Sequence, residues 1–286
     1  MTAQRIATTF DRLVSPLAIF LAVYFAAFTA LNRLHAPADQ PHLIACISVS
    51  LATAVVIVAW EKGRWRLGLA APPGRIAREL LGGAALAALL IGAVDLVIIA
   101  ATPLRHGPGE GFPWREIAVL FLPAAIHEEL LFRGYPFQKL RAWNRGVALF
   151  GGALLFSAVH AGNAAVTPIA LLNIFIAGVI LGLAYERHLR LWFPIGLHFA
   201  WNVLSGPVLG HEVSGYRLPQ SILGVEGEGA AWIAGGDFGI EGSLVMTFAE
   251  CAAAGWLVFT NRISSSSRGV GGSEYHSSPD RGPGVF

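Results

Sequence analysis

Two adjacent carboxylates and an arginine, Glu128, Glu129 and Arg133, sit at the end of an apolar run from Ile117 to Phe132. Each acidic or basic residue at the centre of a membrane-spanning helix costs roughly 2.5–3.5 kcal/mol, so ionisable groups gathered there mark a bundle interior or a wetted cavity. Glu129 and Arg133 are four positions apart and share one helical face, where they can pair. Glu128 is rotated by about 100° and looks elsewhere. One carboxylate is thereby neutralised and the other is left for chemistry. The same spacing recurs in Phe156 with His160 and in His198 with Asn202.

A free carboxylate, two imidazoles and an amide are the parts needed to split an amide bond. The carboxylate can act as base toward a water molecule, and a histidine can share that proton or hand it to the leaving amine. A second histidine and the asparagine can donate hydrogen bonds to the developing oxyanion. The same side-chain types could hold zinc, whose catalytic sites take three protein ligands plus water. His127-Glu128 suggests an HExxH zinc motif, but the position four after His127 is Leu131. Each pair also has a plainer reading. Glu129–Arg133 alone is a structural ion pair, and His198–Asn202 alone is interhelical hydrogen bonding worth on the order of 1 kcal/mol. Phe156 reads as packing beneath His160. Asp95 and Glu250 show no partners in the sequence and read as structural.

Membrane helices must position these groups. Hydrophobic residues make up 55% of the chain and charged residues 13%, with a mean hydropathy of +0.59, far from a soluble balance. Eight spans are expected, at about 15–31, 42–60, 80–101, 116–137, 147–162, 168–185, 191–206 and 240–260, each near the length that crosses a bilayer. With this division 16 Lys and Arg fall on the side of the amino terminus and 4, Arg33, Arg105, Arg115 and Arg217, on the other. The asymmetry favours both termini in the cytoplasm of a multi-pass cell (inner) membrane protein. The net charge of +2 then belongs to cytoplasmic loops and does not signal nucleic acid. The first apolar run reads as a retained anchor rather than a cleaved signal. Cys46 and Cys251 lie in apolar segments and form no framework. No internal repeat is visible, which counts against a transporter that would use the buried carboxylates as a proton relay. The fold class is all-α. Residues 1–110 provide about three helices, 111–262 the catalytic core, and 263–286 a disordered Ser/Gly-rich tail. A Gly-rich outside connection covers 205–239.

The ordered motifs EELLFR (Glu128, Glu129, Arg133), FSAVH (Phe156, His160) and HFAWN (His198, Asn202) resemble the EExxxR, FxxxH and HxxxN of the CPBP family. These are the CAAX proteases and bacteriocin-processing enzymes, also called Abi or type II CAAX prenyl endopeptidase-like proteins. The text HEELLFRGY and the segment GGDFGIEGS, Gly235 to Ser243, are also similar to members, and the resemblance spans about 115–260. It implies an intramembrane endopeptidase acting on a membrane-associated protein or peptide precursor within the lipid bilayer. Glu128 would activate water with His160, His198 and Asn202 would stabilise the oxyanion, and Glu129, Arg133 and Phe156 would support them. A glutamate base requires no cofactor, while Glu128, His160 and His198 would suffice for zinc. The competing reading is a non-catalytic bacteriocin-immunity or regulatory protein that binds a peptide in the same cavity. One geometric difficulty arises, because Glu128 lies near the inner end of the fourth span and His160 near the outer end of the fifth. Their meeting requires either that the fourth helix run on past Arg133 or that the fifth start deep in the membrane. The former is expected, with the break near Gly134-Tyr135-Pro136 inside the protein and a cavity reaching in from the cytoplasmic side.

Overall fold

The computed structural model of the chain describes residues 10–34 and 41–270, with side chains from 11 to 34 and 41 to 261. Helix α1, Ser15–Leu34, follows a π-helical turn at Phe10–Val14. Helix α2, Pro41–Val55, continues through another such turn to Trp60. Helix α3 is Pro73–Ala101. Helix α4, Leu122–Phe132, prolongs two turns that begin at Trp114, and α5 is Tyr135–Trp143. Helix α6, Gly152–Val159, is flanked by a π-turn from Val147 and a 3-10 turn ending at Gly162. Helix α7 is Pro168–His188, and α8, Trp192–Val203, is extended by a π-turn to Val208. The short α9, Ala231–Ala234, precedes α10, Leu244–Val270. One departure from all-α is a two-stranded antiparallel ladder, β1 at Arg105–Pro108 against β2 at Leu223–Glu226, which pairs the 205–239 connection with the end of α3.

Among the described residues five helices are long and apolar enough to cross a membrane: Asp11–Leu34, Pro41–Trp60, Pro73–Ala101, Pro168–His188 and Leu244–Asn261. Of the eight expected spans these are the first, second, third, sixth and eighth, and the fourth, fifth and seventh lie outside that set of described helices. The fifth and seventh are shorter helices, Val147–Gly162 and 192–208. The fourth is helical over 114–132 but carries Arg115, Glu116, Glu128 and Glu129. Helices that surround polar groups inside the protein need not match the lipid thickness. The fourth run does not continue past Arg133. Pro136 could not extend that helix, since its ring would strike the carbonyl four residues back and it lacks an N–H. It stands instead in the first turn of α5. A Cβ on Gly134 would lie 2.1 Å from the carbonyl oxygen of Leu130, so only glycine lets the chain fold back over the end of α4. The break is buried, as expected, with Arg133, Gly134 and Tyr135 all inside. Helix α10 runs on to Val270, into the tail expected to be disordered; residues 271–286, Arg5 and Arg281 lie outside the described residues.

Small residues bring the helices that carry the motifs into backbone contact. A Cβ on Gly83 of α3 would lie 2.2 Å from the oxygen of Phe193, and one on Gly196 of α8 would lie 2.3 Å from the oxygen of Leu80. Gly178 of α7 meets Ala153 of α6 at 2.9 Å in the same sense. Such close approach is how helices associate where lipid supplies no hydrophobic drive. One buried core joins Ile91, Val94 and Ile98 of α3 to Phe156, Leu197, Trp201 and Met246. A second joins Phe20, Val49 and Val56 of α1 and α2 to Leu130, Tyr135 and Ile195. Packing is thus continuous across residue 110.

Polar contacts sort the connections into two ends. At one end Lys139 Nζ donates to Glu61 Oε1 at 2.6 Å, Trp65 Nε1 to Gln138 Oε1 at 3.1 Å and Trp192 Nε1 to the Leu69 carbonyl at 2.8 Å. Arg190 pairs there with Glu79. At the opposite end Asn163 Nδ2 donates to the Ser214 carbonyl at 3.0 Å, and Asp95 gathers His106 at 3.0 Å and His211 at 2.7 Å. Asp95, expected to lack partners, instead ties α3 to β1 and to the 205–239 connection. Its partners are 11 and 116 positions away, which no local spacing reveals.

Candidate active site

The three motifs build one interlocked cluster. Glu129 is fully buried, and its Oε1 accepts from Arg133 Nη1 at 3.0 Å and from His198 Nδ1 at 2.9 Å. Arg133 also donates from Nη2 to the Gly178 carbonyl at 3.1 Å, and its guanidinium lies 4.5 Å from the ring centre of Phe156. Phe156 stands 4.7 Å from the His160 ring and edge-on to His198 at 6.1 Å. Glu129 thus touches His198, and Phe156 packs against His160 while also bridging Arg133 and His198.

Hydrogen bonding fixes how the imidazoles are presented. A carbonyl oxygen can only accept, so the 2.7 Å contact from His160 Nδ1 to the Phe156 carbonyl places a proton on Nδ1 and leaves Nε2 as the available nitrogen. His198 likewise donates from Nδ1 to the Glu129 carboxylate, and its Nε2 faces Glu128 Oε2 at 3.7 Å. That separation is a charge contact beyond hydrogen-bond reach. Glu128 Oε2 has no hydrogen-bond partner among the described residues.

Glu128, Phe156, His160, His198 and Asn202 line a single cavity of about 470 Å³. The difficulty over Glu128 and His160 disappears for a reason other than an elongated fourth helix. Val147–Gly162 is a short apolar helix; its sixteen residues at about 1.5 Å each reach roughly 24 Å, less than a hydrocarbon core. His160 at its end consequently stays level with the groups inside. The cavity also does not reach toward the end that the sequence assigns to the cytoplasm. Its lining extends to Asn163, Ala164, Ser214 and Tyr216, all in connections at the opposite end.

Sequence spacing missed several contributors. His42, from the start of α2, lines the cavity, and its ligating atom lies within 4.8 Å of those of His127 and Glu128. His127 also meets Tyr24 of α1 through Nε2 at 3.0 Å. Glu241, inside the GGDFGIEGS segment, accepts from Trp201 Nε1 at 2.8 Å and from the Ser214 backbone N–H at 2.7 Å, so it joins the cavity wall beside Asn202 to the connection at the mouth. As to metal, the expected set of Glu128, His160 and His198 does not form a compact group among the described residues, whereas His42, His127 and Glu128 do, as do Asp95, His106 and His211. No signal in the sequence pointed to His42, because it lies 86 positions from Glu128 in a helix free of motif residues.

Comparison with curated proteins and with solved structures returns no match. A family model does match, over residues 110–204, and its description is Type II CAAX prenyl endopeptidase Rce1-like. All three motifs fall inside that segment, which is about a third of the chain, and the match supports a CAAX protease family assignment.

Proposed function

We propose that this chain is an intramembrane endopeptidase that hydrolyses a peptide bond of a membrane-associated protein or peptide precursor, with Glu128 as general base. The family implies a peptidase, and the observation that carries the mechanism is the meeting of Glu128, His160, His198 and Asn202 around one cavity. Glu128 takes one proton of a water molecule while the water oxygen attacks the substrate carbonyl carbon. His160, with Nε2 as its acceptor, orients the second water hydrogen. His198, flanked by two carboxylates, donates as imidazolium from Nε2, and Asn202 donates from Nδ2, to the tetrahedral oxyanion. The proton held by Glu128 then passes to the amine as the C–N bond breaks, which returns the carboxylate. Glu129 and Arg133 orient His198 and hold Phe156 in place. Mass spectrometry of membrane peptides from cells carrying the wild-type chain or Glu128→Gln tests this reading: cleavage products present in the first and lost in the second support it, and identical peptide sets contradict it.

The grouping of His42, His127 and Glu128 supports one variant of the mechanism, in which these three would hold a divalent ion, and such an ion would supply Lewis-acid polarisation of the water. Exhaustive chelation separates the routes. The glutamate route retains its turnover in chelator, whereas a loss that is restored by zinc assigns the ion. The apolar walls of the cavity, among them Leu120, Phe121 and Ile174, would also suit a non-catalytic immunity or regulatory protein that binds a peptide. In that case peptide binding and protection survive Glu128→Gln.

A further inference from the structure

We infer that the cavity opens on the extracytoplasmic face and that its substrates are peptide segments presented there, rather than prenylated carboxyl termini in the cytoplasm. The inference rests on the cleavage reading for the word substrate, but the sidedness itself stands on geometry. Every wall of the cavity runs toward one end of the bundle. Along the helix that ends at Phe132 it is lined by Leu120, Phe121, Ala124 and Glu128, and by nothing beyond Glu128. From α6 it takes Phe156 and His160 and then continues to Asn163 and Ala164. From α8 it takes Leu197, His198, Trp201 and Asn202 and then reaches 213–216. No residue of the connections 61–72, 133–146 or 189–191 takes part. Below Glu128 the interior is filled by the Glu129–Arg133 pair and by Tyr135, Phe137 and Leu191, each at most 3% exposed.

Basic residues are distributed in the opposite way. Among the residues whose side chains are described, the closed end carries eleven, Arg12 with those in the stretches 62–78, 139–145 and 187–190, while the end with the mouth carries four, Arg33, Arg105, Arg115 and Arg217. Arg133 is left out of this count because it is buried against Glu129. Lysine and arginine in short loops are retained on the cytoplasmic side, and the rule depends on their number rather than on net charge. The ion pairs of Glu61, Glu79 and Glu186 with basic partners at the closed end therefore leave the assignment unaltered. The catalytic groups face the side with few positive charges. A peptide reaching them must come from an exported or membrane-anchored chain displayed on that side.

Single-cysteine labelling of the full chain tests this directly, in a Cys46→Ala/Cys251→Ser background. Tyr216 is at the mouth and exposed, and Arg64 is exposed at the closed end. A membrane-impermeant maleimide applied to sealed spheroplasts is expected to label Tyr216→Cys to the same extent before and after lysis, and Arg64→Cys only after lysis. Asp237→Cys, whose parent side chain is 85% exposed on the same connection, replaces Tyr216→Cys where the latter does not accumulate. Labelling of Arg64→Cys in sealed spheroplasts, or protection of the mouth cysteine until lysis, overturns the inference. Adding Glu128→Gln must leave the pattern unchanged. A reversed pattern with intact cleavage thus removes the sidedness alone, and an expected pattern without cleavage removes the peptidase reading alone.

Discussion

Glu129 has no exposure, yet a single oxygen serves both Arg133 and His198. Removing its charge leaves a guanidinium that is 2% exposed without a counter-ion. Breaking one side of a buried pair costs about 3–5 kcal/mol, so Glu129→Gln is expected to lower the unfolding midpoint sharply in detergent or bilayer. Arg133→Lys is expected to recover little of that loss. The guanidinium reaches a carboxylate, a carbonyl and the face of Phe156 from one plane, and a lysine ammonium presents no such fork. Midpoints for both variants that match wild type would contradict the network. Much of this was legible in the sequence, because i,i+4 spacing alone places Glu129 against Arg133 and turns Glu128 away. His198 as the third member was not, since it is 69 positions distant and no local rule links it to Glu129.

Helix α8 holds His198 and Asn202 where they are because its backbone lies directly on α3. Gly196→Ala places a methyl 2.3 Å from the Leu80 carbonyl, and strain of this kind typically costs about 1–3 kcal/mol. The variant is expected to lose both stability and turnover, because relief of the clash carries His198 away from Glu129. Gly92→Ala on α3 is the matched control. Nothing stands within 4 Å of the added atom there, so stability is expected to be unchanged or slightly raised through helix propensity. Equal effects from the two would show that the α3–α8 contact does not position the site. Hydropathy located these helices and their lengths closely, with 147–162 and 191–206 expected against Val147–Gly162 and 192–208. Apolar content, however, is the same for a segment that spans lipid and for one buried among its neighbours. The break at Gly134 with Pro136 was visible as text; its cause, a return of the chain over Leu130, required coordinates. His42 and Asp95 show a further limit, since a polar residue alone in an apolar run gives no hint of a partner on another helix.

The bundle as a unit has two chemically different ends, a sealed basic one and one with a mouth beside β1, β2 and the 205–239 connection. Cross-links at the sealed end depend on acidic groups such as Glu61. Burial alone would raise its carboxyl, but hydrogen bonds from Lys139 and Tyr135 and the lysine charge outweigh this and hold it below its ordinary value of 4.5. A carboxyl lowered in the folded state contributes stability that is complete above its unfolded value and is lost as pH falls through the folded one. The acid limb of a plot of unfolding midpoint against pH is therefore expected to flatten below about 4.5 in Glu61→Gln; a curve parallel to wild type would contradict the role of this link. The central claim is that the carboxylate of Glu128 and the groups of α6 and α8 act together on one water molecule. Its most direct test is the single-turnover cleavage rate of the purified chain in liposomes, toward a peptide found to depend on it in cells. Glu128→Gln, folded to the same midpoint as wild type, is expected to be slower by about 10²–10⁴-fold, the usual contribution of a general base. A folded Glu128→Gln that cleaves at the wild-type rate would contradict the account.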